Sequence, residues 1–310
     1  MKHLISLQEW PTQLIHDVLA LAAEVKRSPG GYSEAMHRKT LMMIFEKPSL
    51  RTRVSFETGF TQMGGHAIYY DLATSPLSSG KENVADMVRV VSRYVDIIMG
   101  RLYEQKHIEE MAALSRVPVI NGLTNYDHPC QILADLQTIQ EHKGRLKGLK
   151  LAYLGDGNNN VTHALMFGCT KVGMDIRVGC PAGVEYSPLD QVVELSKANA
   201  AVSGSALVVT HDAIEAVRDA DVVYTDTWMS YHIPVHKSEM RVKMFSPYQV
   251  NEALMAHAKP DAIFMNCLPA VRGYEQSAGV IDGPQSVVFD EAENRLHVQK
   301  AVMLRLLGLA

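Results

Sequence analysis

The chain has 310 residues, 47% of them hydrophobic and 21% charged, and its 30 Lys+Arg against 34 Asp+Glu give a net charge of −4. That length suits two domains of about 150 residues each, and the composition excludes wholesale disorder. The near-neutral balance argues against a general nucleic-acid binder, which carries a basic face, but leaves room for a small cationic pocket.

No run of 18 apolar residues is present, so no membrane-spanning helix is expected. The opening MKHLISLQEWP lacks the long apolar core of a secretory signal. Cys130, Cys169, Cys180 and Cys267 are scattered with no CxxC pair, the pattern of reduced cytoplasmic thiols and not of disulfides or a zinc site.

Short apolar runs predict strands at 41–46, 67–70, 96–99 and 118–120 in the first half of the chain. The second half offers 151–154, 176–179, 207–209, 222–225, 263–265 and 287–289. Amphipathic stretches at 84–94, 132–142 and 214–219 predict helices between them, and a last helix is expected at 295–307. This alternation is the signature of the α/β class, here two doubly wound parallel-sheet domains facing a central cleft. The polar, glycine-containing HKGRLKGLK (142–150) is the best boundary. Functional loops then belong just past the strand C-termini.

Six such loops carry chemistry. In FEKPSLRTRVSFE (45–57) a strand runs into Pro48-Ser49 and a helix starts near Arg51. Ser49 is a plausible N-cap, and the helix N-terminus with Ser49, Arg51 and Thr52 makes an anion site suited to phosphate. Arg51 and Arg53 point to opposite sides of a helix, so Arg51 is assigned to the ligand and Arg53 to a structural ion pair. The competing explanation is a solvated basic helix start. Arg101 follows the strand at 96–99 and could reach the same ligand. In DHPCQILAD (127–135), Pro129 suits a first helical turn and aims His128 and Gln131 outward; His128 could polarise a carbonyl oxygen or simply cap the helix.

In LAYLGDGNNNVTHAL (151–165) a dinucleotide fingerprint would need glycine at Asn160, and no acidic residue closes the next strand. That weakens a nicotinamide site; the asparagine amides suit a small-molecule carboxylate instead. In YTDTWMSYH (224–232), Asp226 and Ser230 could converge on an ammonium group. His232 and His236 share a metal-like spacing, but no third ligand is visible, so no metal is expected. In IFMNCLPAVRGYE (263–275) a strand delivers Asn266, Cys267 and Leu268. A nucleophilic role for Cys267 lacks a histidine partner, and an inert or ligand-packing thiol is favoured.

Taken in order, FEKPSLRTR, MGGHAIYY, VPVINGL, HPCQILAD, GDGNN, DTWMS, NCLPA and AENRLHVQKAVM resemble the aspartate/ornithine carbamoyltransferase family over nearly the whole chain. The resemblance implies a carbamoyl phosphate-binding domain over 1–145, an ornithine-binding domain over 146–290, and a C-terminal helix (291–310) packing back on the first domain. It implies carbamoyl phosphate ligands at Ser49, Leu50, Arg51, Thr52, Arg101, His128, Gln131, Cys267, Leu268 and Arg295. Arg101, His128 and Cys267 would lie at the reacting centre. Asn159, Asp226, Ser230 and Tyr231 would hold ornithine. The implied reaction moves the carbamoyl group of carbamoyl phosphate to the δ-amine of L-ornithine, giving L-citrulline and phosphate without metal or cofactor. The implied assembly is a homotrimer, or a multiple of trimers, with a loop at 75–83 completing a neighbour's site; no nucleic acid or membrane partner is implied.

Three positions depart from the family pattern. Leu50 stands where many members have Thr, Asn266 where His is common, and Ser230-Tyr231-His232 where ornithine enzymes usually have Ser-Met-Gly. The last contacts the second substrate, so putrescine, aspartate or an N-acylated ornithine stay open as acceptors. An NAD-dependent dehydrogenase and a non-enzymatic metabolite-binding protein are the readings from other classes. The sequence does not choose between arginine synthesis and citrulline breakdown.

Overall fold

The computed structural model describes residues 2–74, 82–229 and 233–310. The chain forms two compact units, one of Met1–Gln137 with Glu293–Ala310 and the other of Thr138–Ala292.

In chain order the first unit begins with α1 (Thr12–Arg27), β1 (Thr40–Phe45), α2 (Leu50–Gln62) and β2 (His66–Asp71). It continues through α3 (Val84–Val91), β3 (Ile97–Arg101), α4 (Gln105–Leu114), β4 (Val119–Leu123) and α5 (Pro129–Lys143). The second sheet is fed by β5 (Lys150–Leu154), α6 (Asn160–Val172), β6 (Asp175–Gly179), α7 (Asp190–Ser203), β7 (Leu207–Thr210) and α8 (Ala213–Val217). Then come β8 (Val222–Thr225), α9 (Ser238–Phe245), α10 (Glu252–Met255), β9 (Ile263–Met265), α11 (Ala278–Ile281) and α12 (Val288–Leu306).

The four-stranded sheet has the order β2-β1-β3-β4 and the five-stranded sheet β7-β6-β5-β8-β9, all pairs parallel. Parallel strands covered on both faces read as unbroken apolar runs, which is why 41–45 (LMMIF) is buried throughout. In each sheet the chain reverses direction once, between β1 and β3 in the first and between β5 and β8 in the second. At such switch points neighbouring loops part and leave a crevice at the strand C-termini. The paired ends there are Phe45 with Arg101, and Leu154 with Thr225.

Beside β3, one extra residue in β4, Gly122, shifts the register so that Gly100 pairs with Asn121 but Arg101 with Leu123. A Cβ at Gly122 would stand 2.5 Å from the Met99 sulfur, so a larger residue in this bulge would have to displace the Met99 side chain.

Nine predicted strands are present, eight within a residue or two of the expected bounds and β4 running three residues past its expected end at 120. The run at 287–289 is not a strand. A single bridge joins Ser286 to Phe264, and α12 starts at Val288 with Asp290 and Glu291 in its first turn. Carboxylates there favour the positive end of the helix dipole, and Phe289 is 70% exposed instead of packed in a sheet. The helix expected at 84–94 stops at Val91, and the one at 214–219 stops at Val217. The latter is followed by Asp219 in a left-handed conformation at φ 56°, which ends a helix.

Candidate active site

At the first switch point Ser49 caps α2 as expected, its Oγ accepting the Thr52 N–H at 3.3 Å. Arg101 Nη1 and Arg295 Nη2 each donate to Thr52 Oγ1 at 3.3 Å, and Arg295 Nη1 donates to Gln131 Oε1 at 2.5 Å. Gln131 is itself oriented by donating to Asp135 Oδ1 at 2.8 Å. Thr52, Arg101, His128, Gln131 and Arg295 are all buried. Two guanidinium groups thus share one neutral hydroxyl at the start of a helix, an arrangement that invites an anion.

His128 accepts the Gln131 N–H at its carbonyl, 3.0 Å away, and so opens α5 with Pro129 in the first turn. Burial, followed by the positive charges of Arg295, Arg101 and Lys47, holds the imidazole pKa well below its usual value. Burial and these cations thus favour the neutral imidazole.

Leu50 is set apart from this group, its side chain 75% exposed; only its backbone N–H, at the head of α2, faces the helix N-terminal field. Arg53 turns away and pairs with Glu57 at 3.2 Å, lying over the Tyr69 ring at 4.0 Å, which is the ion pair expected of it.

Two residues here escaped the sequence reading. Lys47 is buried, donates to Asn125 Oδ1, and sits 4.3 Å over the Tyr103 ring. Burial and then the Arg101 charge lower its pKa to about 8. Asp127 is buried directly before His128, and desolvation raises its carboxyl to about 7. The available signal was position alone, each lying between a strand end and a helix start.

At the second switch point Asn159 caps α6, its Oδ1 accepting the Val161 N–H at 2.6 Å while Nδ2 donates to Asp226 Oδ2 at 3.0 Å. Cys267 Sγ donates to the other oxygen, Asp226 Oδ1, at 3.1 Å. The carboxylate of Asp226 is thus fixed from both sides, and this partner of the thiol is a carboxylate and not a histidine. Gly155, just past β5 at φ 131°, permits the turn that brings this loop round. Next to it, the buried pair Asp156–Arg241 anchors the following segment, Arg241 Nε also donating to the Trp228 carbonyl at 2.7 Å.

Leu268 follows Cys267 at φ 56°. Ser230, Tyr231 and His232, together with 75–81, lie outside the described residues. Among the described residues no set of three or more His, Cys, Asp or Glu side chains is placed to hold a metal ion, and no helix is long and apolar enough to cross a membrane. No disulfide joins the four cysteines.

Residues 2–141 match the carbamoyl-P binding domain model of aspartate/ornithine carbamoyltransferase, and residues 147–306 match its Asp/Orn binding domain model. An ornithine carbamoyltransferase of Carboxydothermus hydrogenoformans is 52% identical over 98% of this chain and 97% of its own. The protein named ornithine carbamoyltransferase, anabolic, of Pyrococcus furiosus is 48% identical over 99% of this chain and 96% of its own. The solved structure of ornithine carbamoyltransferase from Pyrococcus furiosus superposes with a TM-score of 0.94 at 48% identity, covering 99% of this chain and 97% of that one. With the two domain models spanning nearly the whole chain and relatives about half identical over almost its full length, the chain belongs to the aspartate/ornithine carbamoyltransferase family.

Proposed function

We propose that the protein transfers the carbamoyl group of carbamoyl phosphate to the δ-amine of L-ornithine, giving L-citrulline and phosphate. The observation that carries this is the convergence of buried Arg101 and Arg295 on the Thr52 hydroxyl beside the Ser49-capped helix start. A dianionic phosphate matches that charge, that fork geometry and those backbone N–H groups.

In this scheme Ser49, Arg51, Thr52, Arg101, Arg295 and the N–H groups of Leu50 and Arg51 hold the phosphoryl group. His128, Gln131 and Arg101 bind the carbamoyl end. The neutral state of His128 matters here, because an N–H donor next to a developing oxyanion stabilises it without giving up a proton. Asp226 receives the α-ammonium of ornithine, with Asn159 at the α-carboxylate and Ser230 and Tyr231 assigned beside them by the family pattern. Cys267 and Leu268 line the turn next to Asp226.

The δ-amine must attack as the free base. With a Lys-like pKa near ~10.4, deprotonation at pH 7 costs about 5 kcal/mol. Positioning the amine on the carbonyl carbon offsets this, since fixed geometry supplies roughly 7–11 kcal/mol. The amine adds to the carbonyl carbon, the C–O bond to phosphate breaks, and the departing phosphate is a suitable acceptor for the amine proton. Arg51, Arg101 and Arg295 neutralise the leaving group.

The same proposal extends to the setting: a cytoplasmic homotrimer, or a multiple of trimers, working in arginine biosynthesis. Supplying carbamoyl phosphate with ornithine, putrescine, aspartate or N-acetylornithine, and identifying the carbamoylated product by mass, tests the acceptor. Citrulline as the dominant product is expected; a different dominant product contradicts the acceptor assignment, and none at all contradicts the activity.

A further inference from the structure

Asn266, where the family more often has His, is completely buried at the end of β9. Its backbone and side chain belong to a continuous line of buried hydrogen bonds. Tyr224 OH donates to Glu291 Oε1 at 3.1 Å, and Glu291 Oε2 accepts the Asn266 N–H at 3.0 Å. Asn266 Nδ2 donates to Gln276 Oε1 at 3.0 Å, and Gln276 Nε2 donates on to the Val271 carbonyl at 3.2 Å. Asn266 Oδ1 accepts the Leu268 N–H at 2.8 Å.

The last of these bonds falls where the backbone most needs support. Leu268 carries a Cβ yet adopts φ 56°, a region that L-residues other than Gly and Asn rarely occupy. The intervening residue is Cys267, whose sulfur donates to Asp226 Oδ1 at 3.1 Å. We propose that Asn266 is a positioning residue for the amine acceptor: its side-chain oxygen holds Leu268 in the left-handed turn and so fixes the Cys267 thiol against Asp226. This rests on the assignment of Asp226 to the acceptor ammonium.

The residue type fits the task. An amide accepts at one atom and donates at its neighbour, so it satisfies Leu268 N–H and Gln276 Oε1 together. Aspartate keeps the acceptor and loses the donor, whereas alanine loses both. Asn266 makes its side-chain bonds to Gln276 and Leu268, not to the side chains assigned to the phosphoryl group, so the larger effect falls on the acceptor.

Steady-state kinetics on wild type, Asn266→Ala, Asn266→Asp and Tyr224→Phe, with thermal unfolding of each, test this. Asn266→Ala lowers kcat/KM for ornithine at least tenfold while KM for carbamoyl phosphate stays within twofold. Asn266→Asp recovers to within about threefold of wild type. Tyr224→Phe, at the far end of the line, lowers the unfolding midpoint without changing the ornithine kinetics. Folded Asn266→Ala with wild-type ornithine kinetics overturns the proposal. So does a loss of activity in Tyr224→Phe that matches Asn266→Ala at equal loss of thermal stability, because the role is then only structural. If Asn266→Ala does not fold, Asn266→Ser and Asn266→Asp carry the test. The longer acceptor must perform better, and equal loss in both overturns the role. A wild-type protein that fails to carbamoylate ornithine overturns the functional assignment as well, whereas an active wild type with unimpaired variants overturns this role alone.

Discussion

Arg101 and Arg295, 194 positions apart in sequence, donate to one and the same oxygen, the Thr52 hydroxyl, at 3.3 Å each. Neither residue is near the other along the chain; the end of β3, the first turn of α2 and the first half of α12 bring them together. The hydroxyl ties two like charges to one point.

Thr52→Val keeps the shape and removes the oxygen. Hydrogen bonds to charged groups are worth about 1.5–3 kcal/mol each, so kcat/KM for carbamoyl phosphate should fall by roughly 10- to 150-fold, with folding retained. Initial-rate kinetics with varied carbamoyl phosphate check this.

Asp226→Asn removes the charge assigned to the acceptor ammonium while leaving an oxygen for the Cys267 thiol or the Asn159 amide. Truncating a buried, hydrogen-bonded charge pair costs about 2–5 kcal/mol. KM for ornithine should therefore rise by at least about 30-fold, whereas the calorimetric affinity for carbamoyl phosphate stays unchanged.

Lys47 gives the phosphate half a pH limit. Its pKa is lowered by burial and by Arg101 to about 8, so it is cationic below that pH and neutral above it. Arg101, Glu46 and Glu104 are the charged groups acting on it. KM for carbamoyl phosphate should rise as pH passes through about 8. Lys47→Arg, which stays charged, should abolish the step, and Lys47→Met should show the high KM at every pH.

Asp127 acts in the opposite sense on stability. Burial, with a smaller contribution from Glu9, raises its carboxyl to about 7, above its unfolded value near ~3.9. The protonated form is favoured in the folded state, so its contribution is complete below the unfolded pKa and is lost as pH rises through about 7. Asp127→Asn should match wild type in denaturant unfolding near pH 4 and exceed it at pH 8 by a few kcal/mol.

Arg241→Met leaves the Asp156 carboxylate buried without its cation. Removing one partner of such a pair costs about 3–5 kcal/mol. Desolvation already raises the Asp156 carboxyl to about 6 despite Arg241, so the loss should be large at pH 8 and smaller at pH 5, where Asp156 takes up a proton. Urea unfolding at the two pH values measures the difference.

Much of this architecture was legible because buried parallel strands leave continuous apolar runs, and because capping and dipole chemistry are local. The Ser49 cap on Thr52 and an ion pair for Arg53 are short-range relationships that spacing reveals, whereas the Asn159 cap on Val161 and its bond to Asp226 were not read from it. The run at 287–289 was misread because two valines and a phenylalanine look like a strand, while the helix is decided by the acidic turn that follows. Lys47 and Asp127 were passed over for another reason: a charged letter in a sequence does not say whether water reaches it. The support of Leu268 by Asn266, Gln276 and Glu291 depends on partners up to 25 residues away in sequence, which no local pattern encodes.

Carbamoyl transfer from carbamoyl phosphate to ornithine is followed most directly at the carbonyl carbon itself. Carbamoyl phosphate labelled with carbon-13 at the carbonyl is mixed with the protein and ornithine, and the reaction is followed by carbon NMR alongside a phosphate assay. Label should appear in the ureido carbon of citrulline, with one phosphate released for each citrulline formed and the rate reduced to a small fraction in Arg101→Ala. Label that decays to carbon dioxide at the uncatalysed rate, with no ureido signal, would contradict it.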